Sequence, residues 1–182
     1  MIKFYLKNNK GFTHATKFTN LVRGFTLLEA LVAISVLMVA IAAPITIAQK
    51  GLSSAVYTKS QMIASYLAQD AIEYVKNKRD ENVMNERDWL DGFADCLEPA
   101  FCRVDTIASG GVGLISPDSG SPKILYKDSN NFYGYNGTVE TNFTRKVIIT
   151  KVSDIEAKLN VVVQWGTDVD NKVDVTTLIY NY

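Results

Sequence analysis

Apolar residues occupy nearly every position from Phe25 to Ala43, and the charged exception is Glu29, early in the run. Extended to Ala48, the stretch would be about 36 Å long as a helix, against a bilayer core of about 30 Å that needs about 20 residues. Its Leu, Ala, Met, Val and Ile composition suits a helix. From Gln49 the pattern changes without a break. Leu52, Val56, Ile63, Leu67, Ala71 and Val75 recur at three- and four-residue steps, Ser60 fills the gap, and Lys59, Gln61, Gln69, Asp70, Glu73 and Lys76 lie off the stripe. That is a helical period, and it predicts one helix continuing to about Arg79 or Asn82 with an apolar stripe that something must cover.

The C-terminal half alternates instead. In 143–152 Val147 and Ile149 share a face with Ile148 opposite; in 157–165 Leu159, Val161, Val163 and Trp165 share one; in 172–180 Val173, Val175, Thr177 and Ile179 do. These read as half-buried strands joined by short links at Ser153-Asp154 and Gly166-Thr167-Asp168, which suit antiparallel hairpins. Shorter candidates are 123–126 and 131–135, whereas Gly, Ser and Pro make 108–122 loop-forming. The expectation is an α+β fold: a long N-terminal helix, half apolar and half amphipathic, packed on a C-terminal antiparallel sheet as a roll. The segments expected are a basic leader 1–24, an apolar helix 25–48, its amphipathic continuation 49–82 and a sheet domain 83–182 that begins with a loop over 83–122.

Charge sharpens this picture. The 182 residues are formally neutral, yet residues 1–24 hold five of the 19 Lys and Arg (Lys3, Lys7, Lys10, Lys17, Arg23) and no acid. Residues 25–182 therefore carry 14 basic and 19 acidic side chains, a net of −5. A basic end beside an apolar span predicts a cytoplasmic N-terminus and an extracytoplasmic C-terminal domain. The acidic remainder argues against nucleic-acid contact. The one histidine, His14, lies in the leader, so 25–182 offers no histidine triad, Cys–His dyad or His-ligated zinc. An anchored hydrolase would need a carboxylate pair or a Ser–Lys site, and the pattern shows a setting for neither, so no enzyme is expected.

Glu29 demands a reason, because a carboxylate at membrane depth costs roughly 2.5–3.5 kcal/mol on insertion scales. A secretory signal with a small-x-small site at Ala40-Ile41-Ala42 is one reading, but the run is long for it and carries a charge. A plain anchor explains the length and leaves the charge unexplained. Cleavage between Gly24 and Phe25 explains both: the new Phe25 α-amine is cationic near neutral pH and falls at i, i+4 from Glu29. The helix dipole also favours a carboxylate in the first turn. Pro44 lacks an N–H and crowds the carbonyl of Ala40, which predicts a kink or hinge there.

The sequence Gly24-Phe25-Thr26-Leu27-Leu28-Glu29, after a basic leader and before an unbroken apolar helix, resembles the processing site of type IV prepilins and type II secretion pseudopilins. The following EALVAISVL is most similar to the minor-pilin and pseudopilin branch of PilV and GspI type. The likeness covers about residues 20–50. It implies a cut after Gly24 by a prepilin peptidase, N-methylation of Phe25, Glu29 as the assembly residue, and filament assembly, in a pilus or pseudopilus, with other pilin or pseudopilin subunits on an inner-membrane platform. The leader is longer than the shortest ones in that family, and Pro44 lies nearer the start than is usual in major pilins. Pilin-like globular domains have the α+β layout read independently above. The alternative function is a membrane-tethered binding or adhesion module that never assembles, using the loops and aromatics of 108–136.

Export would place Cys96 and Cys102 in an oxidising space, where a disulfide across LEPAF is expected, with Pro99 favouring the turn and two free thiols as the alternative. Asp168, Asp170 and Asp174 invite calcium at the 166–174 turn, but Lys172 stands where a ligand oxygen is wanted and the glycine is missing, so a solvated hairpin and no cofactor are expected. Asn136 and Asn142 match the glycosylation acceptor pattern and read as turn and strand residues. Tyr126, Phe132, Tyr133 and Tyr135 read as cross-strand and core packing, or else as an exposed sticky patch.

Overall fold

The computed structural model describes residues 24–107, 114–118 and 120–182. The expected leader 1–24 therefore lies outside the described residues except for Gly24, and so do 108–113 and Ser119 within the expected loop. The chain divides into two units, one ending at Ala48 and one comprising Gln49–Tyr182. A single helix, α1 (Leu27–Met84), supplies residues to both.

In the first unit every residue of α1 except the half-buried Ala30 is exposed within the single chain, Leu27 at 80% and Val39 at 75%. So apolar a surface has no cover of its own. The helix has the length and composition to cross a membrane.

In the second unit α1 packs on an antiparallel sheet, giving the α+β layout expected. After a 3₁₀ turn, η1 (Ala94–Cys96), the strands are β1 (Phe101–Asp105), β2 (Leu114–Asp118), β3 (Ile124–Lys127), β4 (Tyr133–Gly134), β5 (Val139–Lys151), β6 (Glu156–Trp165) and β7 (Lys172–Tyr180). Strands β5, β6 and β7 form the antiparallel meander that the alternation predicts. Their inward faces are those expected: Val147, Ile149, Leu159, Val161, Val163, Trp165 and Ile179 are buried, and Val173 and Val175 pack against that core.

Other expectations change. The segment 83–122 is not loop throughout, since it contains η1, β1 and β2. β5 is 13 residues long, and its second edge is shared: β3 pairs along its first half, while β1, with β2 outside it, joins at Cys102↔Val147. The stripe on α1 is covered only from its middle onward. Leu52 and Val56 are 69% and 59% exposed, and the buried set is Ala64, Leu67, Ala68, Ala71, Val75, Arg79 and Asn82. Small Ala64, Ala68 and Ala71 allow the close helix–sheet approach that a row of larger side chains would prevent.

Two buried polar groups join helix to sheet. Arg145 on β5 is fully buried and donates to the carbonyl of Leu67 (2.9 Å), to Asp70 Oδ2 (2.9 Å) and to the carbonyl of Val104. Thr106 donates to the same Asp70 oxygen at 2.7 Å. At the end of α1, Arg79 donates to the carbonyl of Tyr180 (3.1 Å) and to the Tyr182 hydroxyl (2.7 Å) and stacks on the Tyr182 ring. Each guanidinium satisfies backbone or side-chain acceptors that the helix–sheet contact would otherwise leave dry.

Candidate processing and assembly segment

Gly24, Phe25 and Thr26 precede the helix, and all three are exposed, Phe25 at 77%. Thr26 is the N-cap. Its carbonyl accepts the Ala30 N–H (3.1 Å) and its Oγ1 accepts the Glu29 N–H (3.2 Å), leaving Glu29 at the third helical position. Thr26-x-x-Glu29 is the capping-box spacing, a signal present in the sequence that the reading above did not use. It changes the local geometry. Because α1 begins at Leu27, Phe25 lies outside it, so Phe25 and Glu29 do not stand one helical turn apart. The Gly24–Phe25 bond sits in non-helical, uncovered backbone, and the first carbonyl committed to the helix is that of Thr26. Glu29 is exposed in the single chain, in the first turn where the dipole favours an anion.

Further along, α1 runs through Pro44. The missing N–H leaves the Ala40 carbonyl without its ordinary helical donor. Ser35 and Thr46 turn their hydroxyls back onto the carbonyls of Leu31 (2.7 Å) and Ala43 (2.8 Å), which hides these polar groups from an apolar surrounding.

Cys96 and Cys102 form a disulfide with a Cα–Cα distance of 4.7 Å, and both are fully buried. The loop between them lies against β5: Leu97 bridges Ile149, the Glu98 N–H donates to the Ile149 carbonyl (3.0 Å), and Thr150 donates to Glu98 Oε2 (2.6 Å). The peptide bond before Pro99 is cis. At the 166–174 turn, Asp168 accepts the Asp170 N–H (3.2 Å), and Asp174 Oδ1 accepts from Asn160 (2.6 Å). Among the described residues no three His, Cys, Asp or Glu side chains are grouped to hold a metal ion.

The aromatics divide. Tyr133 meets Phe143 edge-on at 5.8 Å, and both Tyr133 and Tyr135 pack on the core. Phe132 is 59% exposed and, with Ile63, Tyr66, Leu67, Asp70, Thr106 and Ile107, lines an apolar cavity of about 250 Å³. Burial raises the Tyr135 phenol above the usual tyrosine range, partly opposed by the Arg145 charge. On the exposed end of α1, the hydrogen bond from Lys78 holds the Glu81 carboxyl below its usual range.

The family model for the prokaryotic N-terminal methylation motif matches residues 19–43, a span that contains Gly24, Phe25 and Glu29. No curated protein and no solved structure matches the chain. The chain thus carries a prepilin-type signal of the kind found on type IV pilin-like proteins, at the head of a helix able to cross a membrane.

Proposed function

We propose that this chain is a type IV pilin-like structural subunit, a minor pilin or pseudopilin of the branch its EALVAISVL segment resembles. A prepilin peptidase cuts between Gly24 and Phe25 and the new Phe25 amine is methylated. The observation that carries this reading is the methylation motif over 19–43, with its cut site in exposed, non-helical backbone directly ahead of an uncovered apolar helix. The basic leader holds the precursor's N-terminus in the cytoplasm, and the sheet domain lies on the far side of the membrane.

Cleavage removes the segment before Phe25 and creates a cation two residues ahead of the helix. Glu29 then pairs with a Phe25 amine, its own or that of a neighbouring subunit. In its own chain the pairing requires the helix start to move back toward Phe25, because Thr26 caps it at Leu27 in the uncut chain. Compensated in this way, Glu29 passes from lipid into the dry core of a filament, where the apolar helices cover one another. Pro44 supplies a point at which the helix loosens during that packing. An inner-membrane platform and other pilin-like subunits are the partners this mechanism requires. The role is structural rather than catalytic.

A second reading, a membrane-tethered binding module that never assembles, draws on the exposed cavity beside Tyr66 and Phe132. Co-purification with filaments rather than membranes alone separates it from the first. The cleavage claim is tested by the N-terminal mass of the mature protein and by Gly24→Leu. The mature wild type should begin at a methylated Phe25, and the variant should accumulate as full-length precursor. A mature chain beginning at Met1 or at Ala43, or normal processing of Gly24→Leu, would overturn it.

A further inference from the structure

β7 is an outer strand, and its free edge has an unusual symmetry. Its pairing with β6 runs without a bulge from Lys172↔Gln164 to Tyr180↔Glu156. The flanking bonds, Trp165 N–H to the Asn171 carbonyl and Asn181 N–H to the Ile155 carbonyl, set the phase of the ladder. Odd-numbered residues of β7 therefore bond β6, and even-numbered residues turn their N–H and C=O groups away from it. Among the described residues those of Asp174, Thr176 and Leu178 have no partner. At the two ends the edge is half closed. The Lys172 N–H donates to the Asp170 carbonyl (2.9 Å), and the Tyr180 carbonyl accepts from Arg79 (3.1 Å). The open groups are thus arranged symmetrically about Thr176.

We propose that β7 pairs edge to edge with β7 of a second copy of this chain, antiparallel and centred on Thr176. In that register Thr176 faces Thr176 of the partner subunit, and Asp174 faces Leu178 of the partner subunit, each pair exchanging two backbone bonds. Where Lys172 faces Tyr180 of the partner subunit, the two groups already bonded within each chain oppose one another, and the two free ones, the Lys172 carbonyl and the Tyr180 N–H, also oppose one another. Every open group on the edge finds a partner, and no closed group is asked for a second bond. A register centred on Asp174 would set two carboxylates opposite each other, which is destabilising. Two of the devices that keep an outer strand solitary are missing, since residues 172–180 contain no proline and the pairing has no bulge, and the charges on the strand, Lys172 and Asp174, leave 175–180 uncharged.

Single cysteines in the full chain, held in detergent micelles and mildly oxidised, test the register. The native cysteines are bonded to each other, so an introduced thiol is unique among the described residues. Thr176→Cys places two thiols on directly opposed residues with Cα atoms about 5.5 Å apart, within disulfide reach. Leu178→Cys places them about 13 Å apart along the strands, out of reach. The first variant should convert mostly to a linked dimer on a non-reducing gel, and the second should stay monomeric. Thr176→Pro removes an N–H that no bond among the described residues uses, so light scattering should show the unlinked dimer lost while near-ultraviolet dichroism is kept. Linking at both positions means parallel pairing, linking at neither or at Leu178→Cys alone means that the edges do not pair in this register, and a dimer that survives Thr176→Pro is held elsewhere. Each of these results overturns the proposal, and the cysteine pair decides it even where the proline variant fails to fold.

Discussion

Removing the Asp70 carboxylate probes the contact that fastens the helix to the sheet. Arg145 is fully buried, whereas the Asp70 side chain that faces it at 2.9 Å is 44% exposed. Stripping the partner from a buried charge costs about 3–5 kcal/mol. Here water reaches the carboxylate's side of the pair, and the carbonyls of Leu67 and Val104 stay on the guanidinium. Discounted for that exposure, Asp70→Ala should cost about 2 kcal/mol. For a sheet domain of this size that is a fall of about 8 °C in melting temperature. Near-ultraviolet dichroism of the full chain in micelles reads it, because the buried Trp89 and Trp165 lie in the domain that melts. Arg145→Met supplies the control: it removes the charge, keeps most of the volume and leaves Asp70 to Thr106 and water. In that background Asp70→Ala should cost less than about 0.5 kcal/mol. An equal cost in both backgrounds would refute the coupling and leave Asp70 with a merely local role.

Glu29→Val should insert in the membrane and be cut normally yet enter filaments poorly, read by its share in sheared filament fractions; undiminished entry would remove the need for the charge pair. Replacing both Cys96 and Cys102 with Ser should lower stability by about 2 kcal/mol, the small loop-closure effect of so short a loop. Urea midpoints should show reductant lowering wild type but leaving the double variant unmoved. Tyr135 gives an alkaline signature. Its phenol is raised in the folded state by burial, so its contribution is complete below the unfolded value of about 10 and is lost as pH climbs through the higher folded value. Tyr135→Phe should therefore lose less stability than wild type between about pH 9 and 12, and parallel curves would sink this account.

Much of this molecule is periodic, and periodicity is legible in one dimension. The helical steps from Leu52 to Val75 and the alternation in β5, β6 and β7 name elements and faces because each depends on a residue's neighbours along the chain. The methylation motif is legible for the same reason: Gly24, Phe25 and Glu29 lie within one short stretch beside a charge discontinuity. Thr26 belongs with them, since its three-residue spacing to Glu29 is that of a capping box.

Other features depend on residues that are remote in sequence. Alternation puts Arg145 on the inward face with Val147 and Ile149, but what satisfies a charge there shows only when Leu67, Asp70 and Val104 are brought around it. β2 lies in a stretch whose local composition signals turns, with β1 just ahead of it, and the two form strands because β5 is long enough to offer β1 a place beyond β3 and β1 offers its outer edge to β2. The extent of the covered stripe is a tertiary fact as well, since Leu52 and Val56 have the spacing of core residues but nothing over them. So is the openness of the β7 edge, which among the described residues has a neighbouring strand on one side only. Sequence alone determined the processing motif, the membrane-length helix and the main strands, because local patterning specifies them. Tertiary structure decided which charges are buried, how much of the helix is covered and which edge stays open, because those depend on what long-range packing sets beside each residue.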